Sequence, residues 1–97
     1  MIKEIAVISI DPAEAEAFEK TYLEVAPVLR RQPGYLYDEL LRADENDREY
    51  ILIVHWDTVQ DHKDFMASKD FALLADPWGP FQKKVELRHG RIVAQAE

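Results

Sequence analysis

The stretch Arg48–Phe71, REYILIVHWDTVQDHKDFMASKDF, changes its apolar period halfway along, and few folds accommodate that change. Tyr50-Ile51-Leu52-Ile53-Val54 is an apolar run of strand length, rich in β-branched residues. His55 and Trp56 follow, and then a polar break at Asp57-Thr58. Beyond it Val59, His62, Phe65 and Met66 recur at spacings of three and four, which marks an amphipathic helix. Either Asp57 with Gln60 or Thr58 with Asp61 can close a capping box at its start. A buried strand thus brings an indole to its end and a helix folds back beside it. The corner holding Trp56, His62 and Phe65 is a place for a pocket.

The rest of the chain falls around this unit. Residues 2–10 read as a strand with apolar side chains on both parities, so both of its faces need cover. Asp11-Pro12-Ala13-Glu14 starts a helix, with Asp as N-cap and Pro at the first helical position. Phe18, Tyr22, Val25 and Leu29 give it one buried stripe; Pro27 should kink or restart it, and Pro33-Gly34 ends it. Tyr35–Arg42 is a second strand, joined to the third through the acidic turn Ala43–Asp47 as a hairpin. Ser68 is a cap for a short helical piece through Phe71 and Leu74, stopped by Asp76-Pro77. Trp78-Gly79-Pro80-Phe81 then reads as a rigid aromatic loop, and Lys84–Ala94 as a fourth strand with a bulge or close approach at Gly90.

The order β-α-β-β-α-β is the ferredoxin-like split unit, an α+β fold with helices on one face of an antiparallel sheet in spatial order 4-1-3-2. At 97 residues the chain is one domain, 1–97. The other sheet face is apolar too, which predicts a homodimer, sheet against sheet. With Leu52 and Trp56 turned to the helices, Ile51, Ile53 and His55 would face the partner.

Composition removes several classes of function. Nineteen acids against twelve bases, a formal charge of −7, argue against nucleic-acid and anionic-membrane partners. The absence of cysteine excludes disulfides, thiolate nucleophiles and cysteine metal sites. The opening MIKEIAVISI is too short and interrupted for a signal peptide or membrane span, so a cytoplasmic protein is expected. The three histidines lack metal-ligand spacing, and glycines only at 34, 79 and 90 leave no phosphate loop or dinucleotide fingerprint.

Several segments together carry a family resemblance. Val25-Ala26-Pro27-Val28-Leu29 followed by Gln32-Pro33-Gly34-Tyr35, Glu39-Leu40-Leu41-Arg42, Trp56 ahead of the helix, and Gly79-Pro80-Phe81 before the last strand resemble the antibiotic biosynthesis monooxygenase (ABM) family of dimeric α/β-barrel domains. Domains of this kind include cofactor-independent oxygenases of phenols, haem-degrading enzymes and small-molecule isomerases. The haem-degrading branch would need an Asn on the first strand and a ligating His after Trp56. Here the strand offers Val7-Ile8-Ser9, and the ligand position falls at or near Ala75. The phenol branch shares Trp56, while its pocket Asn has no counterpart; the only Asn is Asn46.

The resemblance therefore implies a monooxygenase-like protein that needs no metal, flavin or other cofactor and acts on a small aromatic or quinol-type substrate between sheet and helices. The alternative is a non-catalytic small-molecule-binding or interaction module of the same fold. His62, turned inward beside Val59 and Met66, is the first choice for a general base, against the plain reading of a satisfied core histidine. Trp56 is a pocket wall or core filler, and Tyr50 a hydroxyl donor to the substrate oxygen. Tyr22, Phe65 and Phe71 would hold the ring, and Trp78 is either a lid or a dimer contact.

Overall fold

The computed structural model describes residues 1–96. Four strands form one antiparallel sheet: β1 (Ile2–Ser9), β2 (Tyr35–Arg42), β3 (Glu49–Trp56) and β4 (Lys84–Arg91), in the order β2-β3-β1-β4. Three helices, α1 (Ala15–Arg30), α2 (Val59–Met66) and α3 (Asp70–Trp78), complete the ferredoxin-like fold. Among the described residues no helix is long and apolar enough to cross a membrane.

The pleat decides what is buried. In β1 and β3 every second side chain is buried: Ile2, Glu4, Ala6 and Ile8 on one strand, Tyr50, Leu52, Val54 and Trp56 on the other. These meet Phe18, Tyr22, Val25, Ala26 and Leu29 of α1. Each fully buried aliphatic, such as Ile8 or Val54, contributes about 1.5–3 kcal/mol. The opposite parity, with Ile5, Val7, Ile51 and Ile53, is only half-buried on the open face. Exposed Tyr37 and Leu41 extend that apolar surface.

Several sequence expectations change. The helix after β1 begins with a 3-10 turn over Pro12–Glu14, and Asp11 caps that turn rather than α1. α1 runs on through Pro27, whose missing N–H leaves only the carbonyl of Leu23 without its donor; Leu23 lies on the solvent side. α3 likewise passes Asp76-Pro77 instead of stopping there, because the carbonyl this frees belongs to exposed Leu73 while the added turn buries Trp78. Trp78 is therefore no loop lid: it is 2% exposed, and its indole N–H donates to the Phe18 carbonyl at 3.2 Å. Gly79–Phe81 is a 3-10 turn. Ser68 closes α2, donating to the Phe65 carbonyl, and does not cap α3. The irregularity expected at Gly90 is absent, since β1 pairs with β4 in unbroken register, and β4 ends at Arg91. It lies instead between Tyr35 and Tyr37, so Leu36 is bulged out and Tyr35 joins the helix-side parity with Asp38 and Leu40.

Candidate functional site

α2 is fixed first, because it carries His62. Thr58 and Asp61 form the capping box: the Thr58 side chain accepts from the Asp61 backbone N–H, and Asp61 accepts from the Thr58 backbone N–H at 3.1 Å. Gly34 lies directly against Asp61, with φ +83; a Cβ there would stand 2.2 Å from Asp61 Cγ. The Asp57 N–H also donates to the Gly34 carbonyl. Glycine is thus required both by backbone conformation and by the close approach of α2.

With α2 so placed, His62 is 4% exposed and stacks on Trp56 at 5.5 Å between ring centroids. Beneath it lies Glu4, a carboxylate on the buried parity of β1. Glu4 Oε1 accepts the Trp56 indole N–H at 3.0 Å and sits 3.1 Å from His62 Nε2. The other imidazole nitrogen, Nδ1, is 2.8 Å from Nε2 of His89 on β4. β1 is the shared neighbour: Glu4 is the register partner of both Val54 and His89, which places β3 and β4 side chains on either side of one carboxylate. Burial raises the Glu4 pKa, partly offset by the Trp56 hydrogen bond. Burial, with His89 adding to it, pushes His62 down to about 4, so its imidazole is neutral at neutral pH. The Glu4–His62 contact is then a close approach of a carboxylate to a neutral ring rather than an ion pair.

Glu4 and His62 of this network line one end of a largely apolar cavity of about 180 Å³ between the sheet and α2–α3. Phe65, Phe71, Leu74 and Trp78 wall it from the helices, and Leu52 and Leu87 from the sheet. Of the candidate residues, His62, Phe65, Phe71 and Trp78 converge here, and Trp56 backs His62 from behind. Ala75 also lines the space, presenting a methyl group where a metal ligand would need a donor atom.

Tyr22 and Tyr50 are not brought to this cavity by their hydroxyls. Both line a wider, more polar cleft of about 520 Å³ between α1 and the β2–β3 hairpin. There the Tyr22 hydroxyl donates to Asp38 at 2.7 Å, joined by Arg30 and Tyr35, while the Tyr50 hydroxyl and Arg42 share Glu19. Burial would raise the Asp38 pKa, but hydrogen bonds from Arg30, Tyr35 and Tyr22 outweigh it and hold it low. Burial and the Asp38 carboxylate push Tyr22 well above the usual phenol range. His55 faces the other side of the sheet, against Tyr37. The sequence did not single out Glu4, and it marked His89 only as one of three histidines without metal-ligand spacing. A glutamate on the parity of Ile2, Ala6 and Ile8 was the available signal for the first.

Comparison with known proteins agrees with this architecture. The family model described as antibiotic biosynthesis monooxygenase matches residues 1–75. The uncharacterized protein YczJ of Bacillus subtilis (strain 168) is 30% identical, over 84% of this chain and 90% of that one. A crystal structure from Bordetella bronchiseptica, grouped with the antibiotic biosynthesis monooxygenases, superposes with a TM-score of 0.91 at 30% identity, covering 96% of this chain and 97% of that chain. SnoaB of Streptomyces nogalater, a cofactor-independent oxygenase, shares the fold at 22% identity and TM-score 0.81, over 97% and 94% of the two chains. So does the heme-degrader MhuD of Mycobacterium tuberculosis, at 19% identity and TM-score 0.84, over the full length of both. The split unit inferred from strand and helix periods, the glycine-bound capping of α2 and the sequence match thus converge, and the chain belongs to the antibiotic biosynthesis monooxygenase family.

Proposed function

We propose that the cavity between the sheet and α2–α3 takes a small aromatic molecule of the phenol or quinol class, and that the protein acts on it as a monooxygenase-like catalyst without metal or flavin. The observation that carries this reading is a cavity of about 180 Å³ whose lining is apolar apart from Gln82 and the end held by His62 and Glu4. An apolar cavity of about 150 Å³ holds benzene, so one substituted ring is the fitting size. Phe65, Phe71 and Trp78 hold the ring, and the imidazole end takes its hydroxyl proton. The resulting electron-rich carbanion or phenolate reduces O₂ itself: an activated CH₂ becomes a carbonyl and the second oxygen leaves as water. The protein orients the ring and excludes water. SnoaB, of the same fold, supports the reading by being a cofactor-independent oxygenase.

Purified protein given O₂ and a panel of hydroquinones and anthrones should consume oxygen above the buffer rate. A flat oxygen trace with every compound rejects catalysis. Ligand-dependent thermal stabilisation in the same samples would then favour a binding module, in keeping with a network in which no buried side-chain polar atom of the described residues lacks a partner. The working form is a homodimer through the open sheet face, where Ile5, Val7, Ile51 and Ile53 remain half-buried beside exposed Leu41.

A further inference from the structure

We infer that Glu4, rather than His62, takes the substrate proton, and that its Oε2 is the accepting atom. The inference rests on the reading above, that the bound ring gives up a hydroxyl proton. Glu4 sits on the parity of Ile2, Ala6 and Ile8, where an aliphatic side chain would complete the core. Its side chain is 9% exposed, and it lines the cavity together with Ala6 and Ile8. A charge taken out of water is costly unless it is paired, so a carboxylate kept there calls for a partner or a task. The protein occupies one of its two oxygens. Oε1 accepts the Trp56 indole N–H at 3.0 Å and lies 3.1 Å from His62 Nε2. Among the described residues Oε2 takes no hydrogen bond, yet no buried side-chain polar atom lacks a partner. Oε2 therefore keeps some open surface, and the cavity is the open space that Glu4 lines.

His62 is worse placed to accept a proton. One ring nitrogen, Nδ1, faces His89 Nε2 at 2.8 Å, and the other faces Glu4. Burial also acts on the two groups in opposite directions: it raises the carboxyl pKa and lowers that of the imidazole to about 4. A base works best with its pKa near the working pH, and burial moves Glu4 toward it and His62 away. In the step itself the substrate O–H breaks, an O–H forms at Glu4 Oε2, and the negative charge moves from the carboxylate to the substrate oxygen. No oxidant takes part. Neutralising a buried carboxylate favours the transfer, whereas charging a buried imidazole would oppose it. Trp56 and His62 are positioning residues: the first holds Oε1, and the second covers the carboxylate from α2. The charged and titratable groups around Glu4 are His62 and, on β4, its register partner His89, with Arg91 next on the same strand face. β3 contributes only Val54 and Trp56 here, and α3 lines the cavity with apolar residues.

The probe 4-nitrophenol tests the step without turnover, because its anion is coloured and it is a stronger acid than phenol. In buffer acid enough to keep the free compound neutral, the wild-type protein should bind it and develop the phenolate band. Glu4→Gln keeps an oxygen to accept the indole N–H and removes the charge alone; it should bind the neutral form with no such band. Bound but colourless 4-nitrophenol in the wild type overturns the inference, and so does an undiminished band in Glu4→Gln. A second measurement needs no variant. In wild-type protein with ¹³C-labelled glutamate carboxyls, binding should move one resonance to the position of a neutral carboxyl. A new imidazolium signal with every glutamate unmoved overturns the assignment in favour of a histidine. With any substrate that consumes O₂, Glu4→Gln should lower kcat roughly 10²-fold or more with KM little changed, and should remove the fall of activity in acid. Unchanged turnover in that variant overturns the assignment too. A protein that binds no phenol refutes the reading of the cavity, and the inference with it. One that binds but turns over nothing refutes the oxygenase reading, and the colour of the bound probe still decides the base.

Discussion

A carboxylate oxygen that receives an indole N–H and lies 3.1 Å from an imidazole nitrogen, as Glu4 Oε1 does, brings β1, β3 and α2 together at one atom. Such a group is costly to disturb from either side. Trp56→Phe keeps most of the apolar volume but removes a donor from a buried acceptor, and should cost about 1–3 kcal/mol in denaturant unfolding. His62→Ala should cost a similar amount, since it strips partners from Glu4 and His89 at once. The histidine also sets an acid dependence. Its folded pKa of about 4 lies below the unfolded value near 6.5, so the unfolded chain binds the extra proton between those values. Its contribution is fully present above about pH 6.5 and is lost as the pH falls toward 4, up to about 3 kcal/mol. Glu4, whose pKa is raised, works with the opposite sign and takes back part of this. Unfolding free energies of wild type and His62→Gln measured from pH 7 to 4 should therefore converge in acid. Parallel curves would contradict the buried neutral imidazole.

At the scale of elements, the hinge on which the site depends is the Gly34–Asp61 contact. Gly34→Ala meets Asp61 with its new methyl and must hold a positive φ, so it should destabilise by about 1–3 kcal/mol and displace α2, with His62 on it. Thr58→Ala removes only the cap and should cost about 1 kcal/mol without moving the cavity. Thermal melts together with the near-UV signal of Trp56 separate the two effects. Much of this was legible beforehand. Strand parity placed Trp56 inward, helical spacing placed His62 beside it, and the Thr58–Asp61 box was one of two readable options. The end of α3 was not legible, because the rule that proline stops a helix gives way where burying Trp78 compensates the lost bond. Nor were the Tyr22 and Tyr50 hydroxyls: parity tells which face a side chain takes, not which end of the strand. Trp56 is six positions on from Tyr50, about 20 Å along β3. His89 was weighed only as a metal ligand and not as a neighbour of His62 for a related reason, since pairing across β1 is a property of register rather than of spacing.

For the whole molecule, the open sheet face decides the assembly. Burying its aliphatic residues against a second copy gains about 1.5–3 kcal/mol for each one fully covered. Sedimentation at micromolar concentration should show a dimer, and Ile53→Glu, at the middle of that face, a folded monomer. A monodisperse wild-type monomer would end the proposal. The sheet order has one more result. β4 is an edge strand, bonded only to β1, and Val85 and Leu87 on its helix side are still 46% and 43% exposed. Half of its amides point away from any partner strand. Hydrogen–deuterium exchange should therefore strip β4 well before β1 and β3, through openings far smaller than global unfolding. His89 rides on that strand with Val85 and Leu87, so each opening parts it from His62 and moves two wall residues of the cavity, while the walls from β3, α2 and α3 stay in place. The imidazole pair is thus reversible on the timescale of local fluctuations, and a bulky ring can pass the cavity mouth without the core having to melt.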